Sequence, residues 1–166
     1  MNNFDFKEGI LKTLSKKCPV NLHQAKIVHV SSSGTHPSSM RKAFDLLPTP
    51  GDGIWLSLNV PHCQIVFNFM TCKIFLKGYA LRYPPLKSIP RMKSWVLQGS
   101  NDGIRWIIID EIRLELQKLD VWETYSCISQ NSYNYLRIIM TQPNFSNVYQ
   151  ISLSQIEFFG DIISEK

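Results

Sequence analysis

The side chains best equipped for chemistry in this 166-residue chain are four histidines, His23, His29, His36 and His62, and four cysteines, Cys18, Cys63, Cys72 and Cys127. Imidazole and thiolate hold zinc when their spacing lets four of them converge. No histidine pair has the spacing of a helical metal site, and no Cys-x-x-Cys occurs. His62-Cys63 with Cys18, His23 or Cys72 is the one grouping on offer. Its irregular spacing argues instead for buried cysteines that behave as small hydrophobes. There is no Gly-x-Ser-x-Gly elbow, phosphate-binding glycine loop or His-Glu-x-x-His, and Ser31-Ser32-Ser33 has no identifiable base. Hydrolytic and phosphoryl-transfer chemistry lose their usual carriers, so an enzyme is not expected.

Charge is the next discriminator. Lys and Arg number 18 against 13 Asp and Glu, a net charge of +5. Such a balance can serve nucleic acid, but here the basic residues are scattered. The densest cluster, Lys87, Arg91 and Lys93, is split by Pro90 and comes with no RNP-type or zinc-finger pattern, so nucleic acid is not an expected partner. The first 14 residues hold no apolar core of signal-peptide length. The longest aliphatic run, Ile107-Ile108-Ile109, falls far short of the ~20 residues of a membrane helix. A cytoplasmic chain with free thiols is the expectation, under which the sequon Asn144-Phe145-Ser146 carries no glycan.

The elements that must position these residues can be read from hydrophobic period. Asp5 can cap a helix over about 5–17, with Glu8 completing a capping box and Phe6, Ile10, Leu11 and Leu14 on one face. Pro19 ends it. After it come short strands. Ile65, Phe67 and Phe69 alternate with Val66 and Asn68, as do Tyr79, Leu81 and Tyr83, and Leu136, Ile138 and Met140 with their neighbours. Ile151, Leu153, Ile156, Phe158 and Phe159 make a closing strand whose phase slips after Leu153, the mark of a bulge. An irregular stretch to about Gly53 holds Pro37, Pro48, Pro50 and Gly51. The pattern predicts one all-β domain over 1–166, an antiparallel jelly-roll β-sandwich at about 25–160 with a short N-terminal amphipathic helix.

One segment is more specific. Ser94-Trp95-Val96-Leu97-Gln98-Gly99-Ser100-Asn101-Asp102-Gly103-Ile104-Arg105-Trp106 resembles the "SW-x-x-x-GSNDG-x-x-W" signature of discoidin domains, also called factor V/VIII type C domains, in the galactose-binding-domain-like superfamily. Supporting segments follow in family order: Ile27 to Ser33, Ile54-Trp55-Leu56-Ser57, Tyr79-Ala80-Leu81-Arg82, Tyr135-Leu136-Arg137-Ile138 and Ile156-Glu157-Phe158-Phe159-Gly160. The variety it resembles most is the intracellular one, often found beside BTB domains. Physical chemistry gives the signature a structural reading. Gly99 and Gly103 are expected to let a loop close tightly, Asn101 and Asp102 to bond their own backbone, and Trp95 and Trp106 to pack into the sandwich.

The resemblance also implies where ligands go. Sugar-binding relatives often hold one calcium ion through an aspartate and a last-strand glutamate, and Asp45 and Glu157 fall at comparable places. Asp45, however, is followed by Leu46 where the relatives have glycine. Calcium needs six or more oxygens. Ligand-binding loops at one end of the sandwich would be Ser33 to Arg41, with His36 and Arg41, and Tyr83 to Lys93, with Tyr83, Lys87, Arg91 and Lys93. Aromatic and basic side chains on a proline-stiffened loop suit a carboxylate-rich protein surface. A sugar wants an exposed aromatic platform ringed by hydrogen-bonding groups. The expected function is therefore a protein-interaction module, an adaptor, scaffold or structural subunit of a cytoskeletal, ciliary or ubiquitin-ligase assembly. A lectin-like module for galactose-type glycans is the alternative.

Overall fold

The computed structural model describes residues 4–47, 53–86 and 88–164. Its strands are β1 (Val28–Ser32), β2 (Trp55–Leu56), β3 (Gln64–Phe69), β4 (Cys72–Arg82), β5 (Ser94–Ser100), β6 (Ile107–Arg113), β7 (Trp122–Ser126), β8 (Tyr135–Met140), β9 (Ser152–Leu153) and β10 (Gln155–Ser164). They form a five-stranded sheet in the order β1-β3-β8-β5-β6, a three-stranded sheet β10-β4-β7 and a ribbon β2-β9. All pairs are antiparallel. The all-β sandwich expected from the sequence is the fold observed.

Alternation sets which side chains meet between the sheets. In β3, Ile65, Phe67 and Phe69 are buried while the residues between them are half-buried, and β8 repeats this with Leu136, Ile138 and Met140. Phe67 meets Phe158 of β10 edge-on with ring centroids 5.2 Å apart. Trp95 of β5 meets Tyr125 of β7 in the same way at 5.3 Å. Its indole N–H donates to the Tyr79 hydroxyl at 3.0 Å, and that hydroxyl donates to Asp110 at 2.9 Å. Each large side chain sealed in this layer contributes about 1.5–3 kcal/mol.

Two boundaries differ from the sequence reading. The phase slip after Leu153 is a change of partner: β9 pairs with β2, and Ser154 donates its N–H to Arg82 O at 2.9 Å before β10 begins. The bulge lies further on, at Phe159/Gly160. Strand β7, which the sequence reading did not anticipate, completes the smaller sheet.

The N-terminal segment is a 3-10 turn at Phe6–Glu8 followed by a short α-helix, α1 (Ile10–Ser15), so the expected helix over 5–17 is broken at Gly9. Asp5 caps the first turn by accepting the Lys7 N–H at 2.8 Å. The apolar stripe docks on its own sandwich. Ile10 and Leu11 are buried, and the Phe6 ring lies 4.8 Å from Trp122 and 5.3 Å from Phe159.

Candidate functional site

The loops after β1 and β4 leave the sandwich at the same end, because Ser32 pairs beside the start of β3 and Arg82 beside the start of β10. Arg41 ties the two regions by donating to Ser154 O at 3.3 Å, next to the bond Ser154 makes with Arg82. The expected meeting of Ser33–Arg41 with Tyr83–Lys93 at one end is found. The side chains, however, divide differently from the expectation.

Tyr83 and Arg91 are not surface ligands. Both are buried, with the Arg91 guanidinium 4.5 Å over the Tyr83 ring. Arg91 pairs with Glu123 of β7 at 3.1 Å and donates to the carbonyls of Asp120 and Leu119. Glu123 takes the Tyr125 hydroxyl at 2.8 Å on its other oxygen. A guanidinium inside a protein is stable when a carboxylate and carbonyls replace its hydration. Lys93 is half-buried with its ammonium 5.8 Å over the Phe145 ring. Lys87 lies outside the described residues. Tyr83, Arg91 and Lys93 thus offer a partner little of the aromatic-basic face the composition promised.

The two carboxylates considered for calcium have other occupations. Glu157 is buried, and its oxygens accept the N–H groups of Leu11 at 2.8 Å, Lys12 at 3.1 Å and Phe158 at 2.8 Å. Burial pushes its carboxyl above the usual value, while these bonds pull it back. It serves as a remote cap for α1, whose first amides have no partner within the helix. Asp45 accepts the Lys42 N–H at 2.9 Å in a 3-10 turn at Ala43–Leu46. Among the described residues, no three His, Cys, Asp or Glu side chains cluster as metal ligands. His23 instead accepts the Val30 N–H on Nδ1 at 2.9 Å and stacks on Phe44.

The signature loop between β5 and β6 lies at the opposite end. Asp102 does bond its own backbone, accepting the N–H groups of Ile104 and Arg105 at 2.8 Å each. Asn101 reaches across to residues 132–134, donating to Ser132 O and accepting the Asn134 N–H. Gly103 has φ +72°, the left-handed turn expected of it. Gly99 is required for another reason: it sits inside β5, where a Cβ would lie 2.4 Å from the Tyr133 ring. Trp95 is buried as expected. Trp106 is only half-buried, on the outer side under the Arg137 guanidinium at 4.0 Å.

Three further loops at this end are bonded to one another. Leu58 donates to Gly34 O at 3.0 Å, His36 to Leu56 O at 2.8 Å, and Thr35 bridges Ser57. Ser57 and Ile151 exchange bonds at 2.9 Å, Gln150 donates to Ser57 O at 3.0 Å, and Asn59 accepts the Tyr149 N–H at 3.1 Å. The buried Trp55 anchors them from below through a 2.9 Å bond to the Thr35 hydroxyl. This lattice carries His36, whose ring is held by Ser38 at 2.7 Å, and the His62 and Tyr149 rings, 5.8 Å apart. Flat rings beside amides and hydroxyls can stack on an apolar face and hydrogen-bond its rim. Of these, the sequence reading placed only His36 at a binding loop. The signal for Asn59, His62 and Tyr149 was the density of turn residues around them: Pro61, Asn144 and Asn147.

Comparisons with known proteins follow this geometry. Among protein-family models none matches the chain. A stretch of the E3 ubiquitin-protein ligase Ufd4 of Drosophila melanogaster is 27% identical over 177 residues, covering 98% of this chain. The chain spans 6% of that ligase's length. Solved structures agree over most of the chain. The C-terminal domain of a chitobiase from Bacteroides fragilis superposes with a TM-score of 0.70 at 14% identity, covering 83% of this chain and 96% of that one. A CBM32 module of Clostridium perfringens, solved in complex with GalNAc-β-1,3-galactose, gives 0.66 at 11% identity over 81% of this chain and 96% of its own. The family 32 CBM of C. perfringens NanJ, in complex with galactose, gives 0.60 at 11% identity, covering 80% and 93%. At such identities the likeness speaks for architecture: the chain has the discoidin-like, galactose-binding-domain-like β-sandwich fold.

Proposed function

We propose that this chain is a non-catalytic recognition module that binds carbohydrate at the loop end of the sandwich. The observation that carries this reading is the bonded cluster of loops 33–39, 57–62 and 144–151, in which the His62 and Tyr149 rings lie 5.8 Å apart and Asn59 accepts the Tyr149 N–H, with His36 and Ser38 on the neighbouring loop. The structures of like fold solved with galactose and GalNAc-β-1,3-galactose support the same ligand class. Burial of Tyr83 and Arg91 removes the main argument for an acidic protein surface as the ligand. The test is calorimetric titration with galactose and N-acetylgalactosamine glycans. Tyr149→Ala and His62→Ala are each expected to weaken binding by more than about 1 kcal/mol, the cost that marks the few side chains carrying most of a binding energy. Binding that survives both substitutions would contradict this placement of the site.

A second reading rests on the likeness to Ufd4, which runs along nearly the whole chain. On it, the module would hold a protein partner for a ubiquitin-ligase assembly. Affinity capture of the tagged chain from native cytosol separates the two. Glycoproteins released by free galactose support the first reading, and a stoichiometric protein retained through sugar supports the second.

A further inference from the structure

Strand β1 is one edge of the five-stranded sheet: among the described residues β3 is its only strand partner. An edge strand presents N–H and C=O groups that need cover from a loop, a charge or another chain. Here the loop ahead of the strand covers it. Leu22 O accepts the Ile27 N–H at 3.0 Å and the Val28 N–H at 3.2 Å. Two residues further along β1, the Val30 N–H goes to a side chain instead, the Nδ1 of His23 at 2.9 Å. The imidazole thus stands in for the carbonyl of a neighbouring strand. It is fixed from three sides. The His23 backbone N–H donates to Asn21 Oδ1 at 2.9 Å, the ring stacks on Phe44 at 4.7 Å, and the His29 ring lies 4.9 Å away.

We propose that His23 is a proton-operated catch on this edge: the neutral ring closes it and the protonated ring opens it. A ring nitrogen that accepts an N–H must keep its lone pair, so the bond to Val30 fixes the neutral tautomer with its proton on Nε2. Protonation places a second N–H on Nδ1, aimed at the Val30 N–H. Donor then faces donor, and the ring must leave. Val30 is buried, so its amide is satisfied only while the ring holds it. The charges around the ring act in the same sense. His29 of β1 stands beside it, and Lys42 lies beyond Phe44 with its ammonium 5.6 Å from the centre of that ring. Asp45, the acid of that turn, is held on the Lys42 N–H, and among the described residues no carboxylate is bonded to the His23 ring. An imidazolium finds no counter-charge there, and burial, with His29 second, holds its titration below 6.5. Leu22 is buried and stays as the anchor, so the opening is confined to His23 and the amide it covers. The catch belongs to β1 and stands whether or not the loops beyond the strand bind carbohydrate.

The experiment is amide hydrogen exchange on the isotopically labelled full chain, read residue by residue by NMR near pH 8 and near pH 5, either side of the histidine range. Rates are expressed as protection relative to an unstructured chain, which removes the intrinsic pH dependence of exchange. Val30 should lose protection by about tenfold at the lower pH, the order expected for one buried hydrogen bond. Ile138, in β8 between β3 and β5, should keep its own. The ring nitrogens of His23 should show their proton on Nε2 near pH 8. His23→Asn sets a non-titrating acceptor near the Nδ1 position and should abolish the pH dependence at Val30. His29→Gln, which leaves the bond in place, should move the opening to higher pH. Val30 protection that stays constant while His23 titrates would overturn the proposal. So would a ring protonated on Nδ1 near pH 8, or a pH dependence that persists in His23→Asn.

Discussion

Arg91 holds its charge inside the protein because Glu123 meets it there, and removing either side leaves the other uncompensated. Arg91→Ala should therefore cost about 3–5 kcal/mol in urea unfolding, the range for breaking a buried pair. If Arg91 were a surface ligand instead, the loss would be negligible. His23 supplies a pH test at the same scale. Burial, with His29 adding a second push, holds its imidazole below the usual value of 6.5. The folded state then carries fewer protons than the unfolded one, so stability rises with pH across that window and is lost as pH falls below 6.5. Urea midpoints near pH 8 and near pH 5 should differ in this sense for the native chain, and His23→Phe should reduce the difference. The same residues show where sequence reading runs out. A loop with Tyr83, Lys87, Arg91 and Lys93 among prolines looks exposed when read locally. Its neutralising acid stands 32 positions from Arg91, on a strand whose apolar alternation Glu123 itself interrupts.

Among the elements, α1 depends most on its surroundings. A helix of six residues is far below the length that holds in water alone. It persists because Glu157 of β10 accepts two of its first amides and because Ile10 and Leu11 enter the sandwich core. Leu11→Asp is accordingly expected to destabilise the domain by about 3–5 kcal/mol and lower the melting temperature sharply. An unchanged melting temperature would place the stripe on a partner instead. Strands β3 and β8 were well marked in the sequence because their alternation reports burial directly. The interruption at Gly9 was not, since Phe6, Ile10, Leu11 and Leu14 fit a continuous stripe and the acid that caps the second segment lies near the far end of the chain. The role of Gly99 was hidden likewise: the ring that excludes a side chain there, Tyr133, belongs to a distant loop.

At the scale of the whole molecule the two ends of the sandwich are built differently. The end carrying the Gly99–Trp106 signature is bonded internally through Asn101 and Asp102, which is why that signature predicts architecture so much better than activity. The other end carries loops tied to one another through Thr35, Ser57 and Ile151, yet leaves the His36, His62 and Tyr149 rings partly accessible. The resemblance to discoidin domains gave this end as the place for ligands, and the fold brings the loops there. Which rings stay accessible was set by packing. The most direct measurement is a titration of the isotopically labelled chain with GalNAc-β-1,3-galactose, followed through its backbone amide resonances. Saturable shifts confined to residues 33–39, 57–62 and 144–151 are the predicted result. Shifts centred elsewhere, or none at saturating sugar, would contradict the account.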